Sequence, residues 1–191
     1  MFDIYLASQS PRRAELLQIL NVNFKQFSVD IDESIKHDEN PNSYIDRIVD
    51  MKLEAAIKSV GDSKPVLVAD TIVVFNDMIM CKPSSFEESK RMLNLLSGNT
   101  HKVITKLKVA FNGGVHQSTN NSFVTFRNIS EKEIQSYWKT GEPIDKSGSY
   151  GIQGVGAIFI EKIIGSYTAI MGLPHFEVSQ ILDQCGVSIL D

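Results

Sequence analysis

A ten-residue apolar run, Val66–Phe75 (VLVADTIVVF), constrains the fold more than any other segment of the chain. Nine of the ten residues suit a buried β-strand, but Asp70 places a carboxylate in the middle of the run. Burying an isolated charge costs several kcal/mol unless the charge is paired or binds a metal. We therefore expect Asp70 to stand at the end of a strand, to face a cleft and to have partners elsewhere in the chain.

Hydrophobic spacing and end signals predict the other elements. Helices whose ends are marked by Ser, Pro or Gly are predicted within residues 10–20, 41–61, 84–98, 130–141 and 173–186. Strands are predicted within residues 3–8, 65–75 and 157–165, with a further strand that runs into an acidic loop over 24–34 and a hairpin over 101–127. This mixture predicts an α/β protein with a mixed, twisted sheet and flanking helices.

Three of the predicted helices begin with specific capping signals. Ser10 is a good N-cap and is followed by proline at the favoured first helical position. Either Ser84 or Ser85 caps the third helix. Ser130 and Glu133 have the spacing of a capping box, which fixes the start of the fourth helix.

Composition limits the classes of partner and compartment. The 191 residues are 42% hydrophobic, which suffices for one domain over residues 1–191 or for two small lobes. A net charge of −4 argues against a nucleic-acid polymer as partner. Two cysteines, Cys81 and Cys185, are too few for a disulfide framework and are interpreted as packing residues in a reducing compartment. Because no apolar run approaches about 20 residues and no signal peptide is recognisable, we expect a cytoplasmic protein without a membrane partner.

The segment SQSPRR (residues 8–13) joins a predicted strand to a helix N-terminus, where backbone N–H groups favour anions. Arg12 and Arg13 in the first turn are electrostatically unfavourable for the helix itself, but arginine binds phosphate in bidentate fashion. The segment alone leaves two interpretations equally open, a phosphate site and a pair of solvated surface arginines.

Lys52 falls on the apolar stripe of the helix over 41–61, because it follows Val49 by three residues and precedes Ala56 by four. Its ammonium either snorkels to the edge of the stripe or meets a phosphate or Asp70 in a cleft. Since lysine is rarely buried without a partner, we expect snorkelling.

Two further segments suit phosphoryl chemistry. The acidic segment VDIDES (residues 29–34) contains Glu33 and offers the carboxylates that bind Mg²⁺, although a solvated acidic loop is the commoner case. The glycine-rich segment over 141–156 exposes backbone groups that can wrap a ligand, and the amide of Gln153 can read a base edge; a surface loop without a ligand is the alternative. The four histidines show no metal-ligand spacing. Cations for phosphate and carboxylates for a metal together indicate phosphoryl chemistry on a small nucleotide.

A series of motifs, in order over nearly the whole chain, resembles the Maf family. The motifs are S-Q-S-P-R-R-A-E-L-L, A-D-T-I-V-V, K-P before a helix that ends L-S-G-N-T-H, G-E-P-I-D-K-S-G-S-Y-G-I-Q-G-V-G-A, and G-L-P. The resemblance implies an ITPase-like α/β fold with a cleft between two lobes. It implies hydrolysis of a nucleoside triphosphate to the monophosphate and pyrophosphate with a divalent cation, Mg²⁺ or Mn²⁺, and it is compatible with a homodimer.

The resemblance also implies roles for the matching residues. Asp70 matches the proton acceptor of the family and a position near the metal, and Glu33 matches a second acidic position near the metal. Four residues match positions that hold the phosphates, and these are Ser8, Arg13, Lys52 and Lys82.

Base preference divides the resembled family into two branches. Arg12, Thr71 and Gln153 match the branch that prefers dTTP and UTP, whereas the branch that prefers 7-methyl-GTP tends to have Trp at the first of these positions. We expect hydrolysis of dTTP and UTP, with a 7-methyl-GTP pyrophosphatase or a nucleotide-binding cell-division regulator with little catalysis as the alternatives. The departures from the family pattern remove no candidate catalytic group, and they are Cys81, Ser147, Ser149 and Ala169.

Overall fold

The structure is a computed structural model that describes residues 2–190. Within these residues the strands are β1 (Ile4–Ala7), β2 (Phe24–Phe27), β3 (Val66–Phe75), β4 (Met78–Met80), β5 (Thr100–Phe111), β6 (Gly114–Phe126) and β7 (Ile160–Ile164). The α-helices are α1 (Pro11–Ile19), α2 (Pro41–Val60), α3 (Phe86–Leu96), α4 (Glu131–Trp138), α5 (Tyr167–Met171) and α6 (His175–Gln184). Across residues 2–190, no helix combines the length and the apolar character that crossing a membrane requires.

The strands form one mixed sheet in the order β2-β1-β3-β5-β6-β7, and β4 pairs with β3 beside that path. β1 is parallel to both β2 and β3, whereas β4 is antiparallel to β3 and β7 is antiparallel to β6. Parallel neighbours need a crossover connection, which α1 and α2 supply in the first part of the chain. The predicted α/β class, with a mixed sheet and helices, is confirmed.

The chain divides into two compact units. The first unit contains Met1–Asp70, Thr105–Asn120 and Gly172–Asp191, and the second contains Thr71–Ile104 and Asn121–Met171. β3, β5 and β6 therefore contribute residues to both units, and β3 changes unit immediately after Asp70.

In the first unit, α1 and α2 each begin directly after a residue whose side chain caps the helix. The Ser10 side chain accepts a hydrogen bond from the Arg13 N–H at 3.5 Å, and the Asn40 side chain accepts one from the Ser43 N–H at 3.0 Å. A proline follows each cap as the first helical residue. Its missing N–H costs no hydrogen bond there, because an N–H at this position has no acceptor within the helix. The core of this unit is aliphatic and includes the fully buried side chains of Ile4, Leu6, Leu16, Leu17, Ile45, Ile48 and Leu67.

One face of β5 carries Lys106 and Lys108, whose side chains are only 10% and 12% exposed. Lys106 Nζ donates to Asp46 and Lys108 Nζ donates to Asp50, and these two acceptors lie one turn apart on α2. Because each lysine has a carboxylate partner, this face of the strand can pack against α2 although it carries two charges.

The core of the second unit is rich in aromatic rings. The Phe126 ring lies edge-on to Tyr150 at 4.7 Å and to His101 at 5.0 Å between centroids, a favourable geometry for aromatic pairs. The whole buried cluster comprises Val73, Met80, Leu93, Leu96, Val103, Val124, Phe126, Ile129, Ile134, Tyr137, Tyr150 and Phe159.

The capping signals of this unit are also met. Ser85, and not Ser84, caps α3 by accepting from the Glu88 N–H at 3.2 Å. Ser130 and Glu133 form the predicted capping box at the start of α4. Both helix starts follow from residues three apart in sequence, which is why the sequence predicts them well.

Three features of the second unit differ from expectation. The five-residue helix α5 was not predicted, because one turn is too short to show a helical spacing. Cys81 is exposed, so its interpretation as a packing residue is wrong, whereas Cys185 in the first unit is buried as expected. Much of the glycine-rich segment folds into short 3₁₀ helices, and a loop stays only around Gln153; the helices are Glu142–Asp145, Ser147–Ser149 and Val155–Phe159.

Candidate active site

Asp70 lies in the middle of β3, so the expectation that it ends a strand is wrong. Before Asp70 the strand pairs with β1 through Val66 and Leu67, and after it the strand pairs with β4 from Val73 onward. The Asp70 side chain is 16% exposed. A place within a strand gives the carboxylate a regular backbone, which suits a group that must keep a fixed position during a reaction.

Lys52 reaches Asp70 from α2. Its Nζ lies 2.9 Å from Asp70 Oδ1 and 2.8 Å from Glu33 Oε1, and its side chain is 12% exposed. The expectation that Lys52 snorkels to the edge of the apolar stripe is therefore wrong. Two carboxylates offset the loss of hydration of the ammonium, so the alternative in which Lys52 meets Asp70 is confirmed.

Arg13 approaches the same carboxylate from the first turn of α1. Its Nη2 lies 3.6 Å from Asp70 Oδ1, its Nε donates to the carbonyl of Gly172 at 3.0 Å, and its Nη1 donates to Ser8 Oγ at 3.4 Å. Burial lowers the pKa of Arg13 below its ordinary value, although the attraction of Asp70 acts in the opposite direction. For Arg13 the interpretation as a solvated surface arginine is excluded, and the neighbouring Arg12 is half-buried.

Ser8 joins β1 to the start of α1 and is buried. Its N–H donates to the carbonyl of Phe27 at 2.9 Å, and its hydroxyl accepts from the Ser10 N–H at 3.1 Å. These bonds fix the hydroxyl beside the N-terminus of α1, next to the Arg13 guanidinium. Backbone N–H groups, a hydroxyl and a guanidinium together form a suitable environment for an anion.

The loop that carries Glu33 is held by α2 through contacts that sequence reasoning missed. The Tyr44 hydroxyl donates to the carbonyl of Glu33 at 2.9 Å, and Arg47 Nη2 donates to the carbonyl of Ser34 at 2.9 Å. Arg47 also binds both carboxylate oxygens of Glu39, at 2.6 and 2.7 Å, and this lowers the pKa of Glu39 to about 2. The available signal was the i, i+3 spacing of Tyr44 and Arg47 on one helix face.

Asp70 and Glu33 fit a divalent cation by the chemistry of their donor atoms. Both carboxylates already converge on one positive group, the Lys52 ammonium, at 2.9 and 2.8 Å. In the described part of the chain, no group of three or more His, Cys, Asp or Glu side chains forms a ready metal cage. Two carboxylates without further protein ligands are what Mg²⁺ uses when substrate phosphates complete its coordination.

Three further predicted site residues belong to the second unit, and Arg12 belongs to the first. Thr71 follows Asp70 on β3, and successive strand side chains point to opposite faces of the sheet. Lys82 is exposed two residues after the end of β4, and Gln153 is exposed in the glycine-rich segment. The structure thus brings together Ser8, Arg13, Glu33, Lys52 and Asp70 in the first unit.

A comparison with protein families matches residues 3–185 to the family described as Maf-like protein. The chain belongs to this family. Curated members similar to it include a dTTP/UTP pyrophosphatase of Aliivibrio fischeri, which is 45% identical over 95% of this chain and 97% of the relative. Two others of the same name come from Photobacterium profundum, 46% identical over 91% and 92% of the two chains, and Pseudoalteromonas translucida, 44% identical over 94% and 95%.

Among solved structures, the Ham1 protein of Staphylococcus aureus aligns with 64% of this chain and 71% of that chain. The alignment has a TM-score of 0.42 and 14% sequence identity. At these values the likeness supports no conclusion about function. The family assignment rests on the sequence, and it confirms the resemblance that the motifs indicate.

Proposed function

We propose that this protein hydrolyses dTTP and UTP to the nucleoside monophosphate and pyrophosphate. Membership of the Maf-like family supports this activity, as do three curated relatives at 44–46% identity that are each named dTTP/UTP pyrophosphatase. The reaction makes the protein a hydrolase of the phosphoanhydride bond between the α- and β-phosphates of a nucleoside triphosphate.

One observation carries the proposal, namely the convergence of Lys52 and Arg13 on the Asp70 carboxylate. A binding module for an anion gains nothing from a carboxylate at its centre, because that charge repels phosphate. An enzyme that activates water beside a phosphate needs both the base and the cations.

We assign the phosphate contacts to Arg13, Lys52 and Lys82, whose charges neutralise the triphosphate, and to Ser8, whose hydroxyl donates a hydrogen bond. Negative charge on the pyrophosphate leaving group grows in the transition state, so cations fixed nearby stabilise that state more than the ground state. Arg13 suits this task because its carbonyl and hydroxyl contacts hold the guanidinium in place.

In the proposed step, Asp70 accepts a proton from a water molecule while the water oxygen bonds to the α-phosphorus. The bond between the α-phosphorus and the bridging oxygen breaks, and its electron pair leaves with pyrophosphate. One water is consumed, and the products are a nucleoside monophosphate, pyrophosphate and the proton that Asp70 later returns to solvent.

A divalent cation, Mg²⁺ or Mn²⁺, would be held by Asp70 and Glu33 and would supply further positive charge at the phosphates. Tyr44 and Arg47 contribute by fixing the loop on which Glu33 stands. Hydrogen bonds from neighbouring residues to a segment that carries a metal-binding carboxylate orient the carboxylate and tune the affinity of the site for the metal.

Base selection is assigned to Arg12, Thr71 and Gln153. The Gln153 amide offers one donor and one acceptor group, which match the N3–H donor and the O4 acceptor that uracil and thymine share. We place the enzyme in the cytoplasm, without a membrane or nucleic-acid polymer as partner, and as a homodimer whose mass light scattering can test.

The test is pyrophosphate release by the purified protein with Mg²⁺ across dTTP, UTP, CTP, dATP, GTP and 7-methyl-GTP. We expect release from dTTP and UTP. Release from 7-methyl-GTP instead would keep the chemistry and overturn the base assignment. Nucleotide binding without any turnover would overturn the enzyme and favour a regulatory binding module.

A further inference from the structure

Gln153 is exposed at the tip of a short loop whose two ends are buried. Each end is hydrogen-bonded to one side chain, either Tyr137 of α4 or Glu142 in the segment after α4. At the first end, the Gly151 N–H donates to the Tyr137 hydroxyl at 3.1 Å. At the second end, the N–H groups of Val155 and Gly156 donate to the Glu142 carboxylate at 2.7 and 3.0 Å.

The two anchors are themselves joined. The Tyr137 hydroxyl donates to Glu142 Oε1 at 2.7 Å. With the three bonds from the loop N–H groups, the hydroxyl and the carboxylate thus form one network of four hydrogen bonds that joins both ends of the loop. Burial acts to raise the pKa of Glu142, but the hydrogen bonds from Tyr137, Gly156 and Val155 outweigh it, so the pKa lies below its ordinary value. Glu142 is therefore an ionised acceptor at neutral pH, and charge-assisted bonds to backbone N–H groups are stronger than neutral ones.

Glycines make this close approach possible. A Cβ on Gly151 would meet Glu142 Oε1 at 2.9 Å, and a Cβ on Gly156 would meet the Tyr137 hydroxyl at 2.5 Å. A Cβ on Gly154 would overlap the Glu142 carboxylate. The three glycines around Gln153 are thus required by the anchors, a reason that the sequence alone does not give.

We propose that Glu142 and Tyr137 position Gln153 for base discrimination, acting as a clamp on the loop over residues 151–156. The inference rests on the proposed function, in which Gln153 reads the base. A glutamine amide carries both a donor and an acceptor, so by turning over it can pair with cytosine as well as with uracil. When the backbone of the loop is held in place, the Gln153 side-chain amide keeps one position. The groups around that position can then favour the orientation that pairs with uracil.

The test compares kcat/KM for UTP and CTP in Glu142→Gln, Gln153→Ala and the double variant. We expect each single variant to reduce the UTP-to-CTP ratio about tenfold, as expected when a polar group that reads the base is misplaced or removed. The double variant should have the ratio of Gln153→Ala alone, because both changes act through the same side chain. Glu161→Gln, an equal change of charge at an exposed position of β7, is the matched control and should keep the wild-type ratio.

Tyr137→Phe provides a second variant if Glu142→Gln folds poorly, since it keeps the ring that packs 5.1 Å from Phe159. A wild-type ratio in both variants would overturn the clamp, as would equal losses of rate for UTP and CTP, which indicate a structural role only. A wild-type protein that hydrolyses no nucleotide would instead overturn the proposed function.

Amide hydrogen exchange separates these two failures, because it needs no nucleotide. The amides of Val155 and Gly156 should exchange about tenfold faster or more in Glu142→Gln, since exchange reports local opening of the bonds that protect them. Unchanged exchange at both amides would overturn the clamp whether or not the wild-type protein is active.

Discussion

Among single residues, Asp70 matters most for the proposed reaction. The charged groups of Lys52 and Arg13 both lie close to its Oδ1. Asn has nearly the same shape but cannot accept the proton of an attacking water. We expect Asp70→Asn to lower kcat by about 10²–10⁴-fold while the protein stays folded. Pyrophosphate release and the far-UV circular dichroism spectrum measure the two parts of this prediction.

Asp77→Asn is the matched control for Asp70→Asn. Asp77 is exposed in the turn after β3 and has a positive φ of 59°, a conformation that asparagine tolerates well. This variant should retain wild-type turnover. Near wild-type turnover in Asp70→Asn would contradict the role of Asp70 as proton acceptor.

His101 makes stability depend on pH. Its side chain is buried beside the Tyr150 hydroxyl, 2.7 Å from Nε2, and burial lowers the pKa of His101 from 6.5 to about 4. Between these values the unfolded chain binds a proton that the folded protein excludes, so stability is complete above pH 6.5 and falls as pH decreases toward 4. We expect His101 to account for a loss of about 3 kcal/mol across this range, measured by urea unfolding.

His101→Gln isolates that contribution, because glutamine does not titrate. The variant should lose the part of the pH dependence between pH 6.5 and 4 while keeping the part that arises from carboxylates at lower pH. An unchanged slope in the variant would show that other groups cause the dependence.

Among the elements, α2 has two tasks, since it presents Lys52 to Asp70 and holds the Glu33 loop through Tyr44 and Arg47. Arg47→Gln removes the bidentate contact with Glu39 and weakens the hold on Ser34. We expect the Mg²⁺ concentration for half-maximal activity to rise about tenfold, because a loosened loop presents Glu33 less well to a cation. The kcat at saturating Mg²⁺ should change much less, and a titration of activity with Mg²⁺ measures both values.

Lys58→Gln on the same helix is the control for Arg47→Gln, since it removes one positive charge from an exposed position in the last turn. Its Mg²⁺ requirement should equal that of the wild type. If both variants shift equally, the effect comes from net charge and not from the loop.

At the scale of the whole molecule, binding of a nucleotide should raise the stability of the folded chain. A ligand at about 100 times its Kd stabilises the protein by about 2.7 kcal/mol, which corresponds to a Tm increase of about 5–10 °C for a chain of this size. We expect UMP with Mg²⁺ to produce such an increase and 7-methyl-GMP to produce none, measured by differential scanning calorimetry. A larger shift with 7-methyl-GMP would contradict the assignment of the base specificity.

Much of the secondary structure follows from the sequence because its causes are local. The capping residues Ser10 and Ser130 act on N–H groups three residues away, and the apolar run around Asp70 is continuous. The family is also recognisable from the motifs, and the match over residues 3–185 confirms it. The assignment of residues 1–191 to a single domain stays a prediction, as do the roles of the site residues.

The errors concern side chains whose surroundings come from distant parts of the chain. Lys52 was expected to snorkel because helical spacing shows an apolar stripe but not the carboxylates that meet its end. The interpretation of Cys81 as a packing residue rests on the absence of a disulfide framework, which does not show what surrounds the side chain, and the structure leaves it exposed. Spacing and residue type describe average surroundings and carry no information about a particular partner.

The sequence by itself determined the order of the elements, the starts of the main helices and the set of charged residues suited to a nucleoside triphosphate. Only the tertiary structure decided that Arg13 and Lys52 contact Asp70 and that Lys52 also contacts Glu33. It likewise decided that Glu142 and Tyr137 hydrogen-bond to the loop of Gln153. The physical reason is distance along the chain. Caps and apolar spacing act over three or four residues, whereas Lys52 and Asp70 are 18 residues apart and meet only once the helix has packed on the sheet.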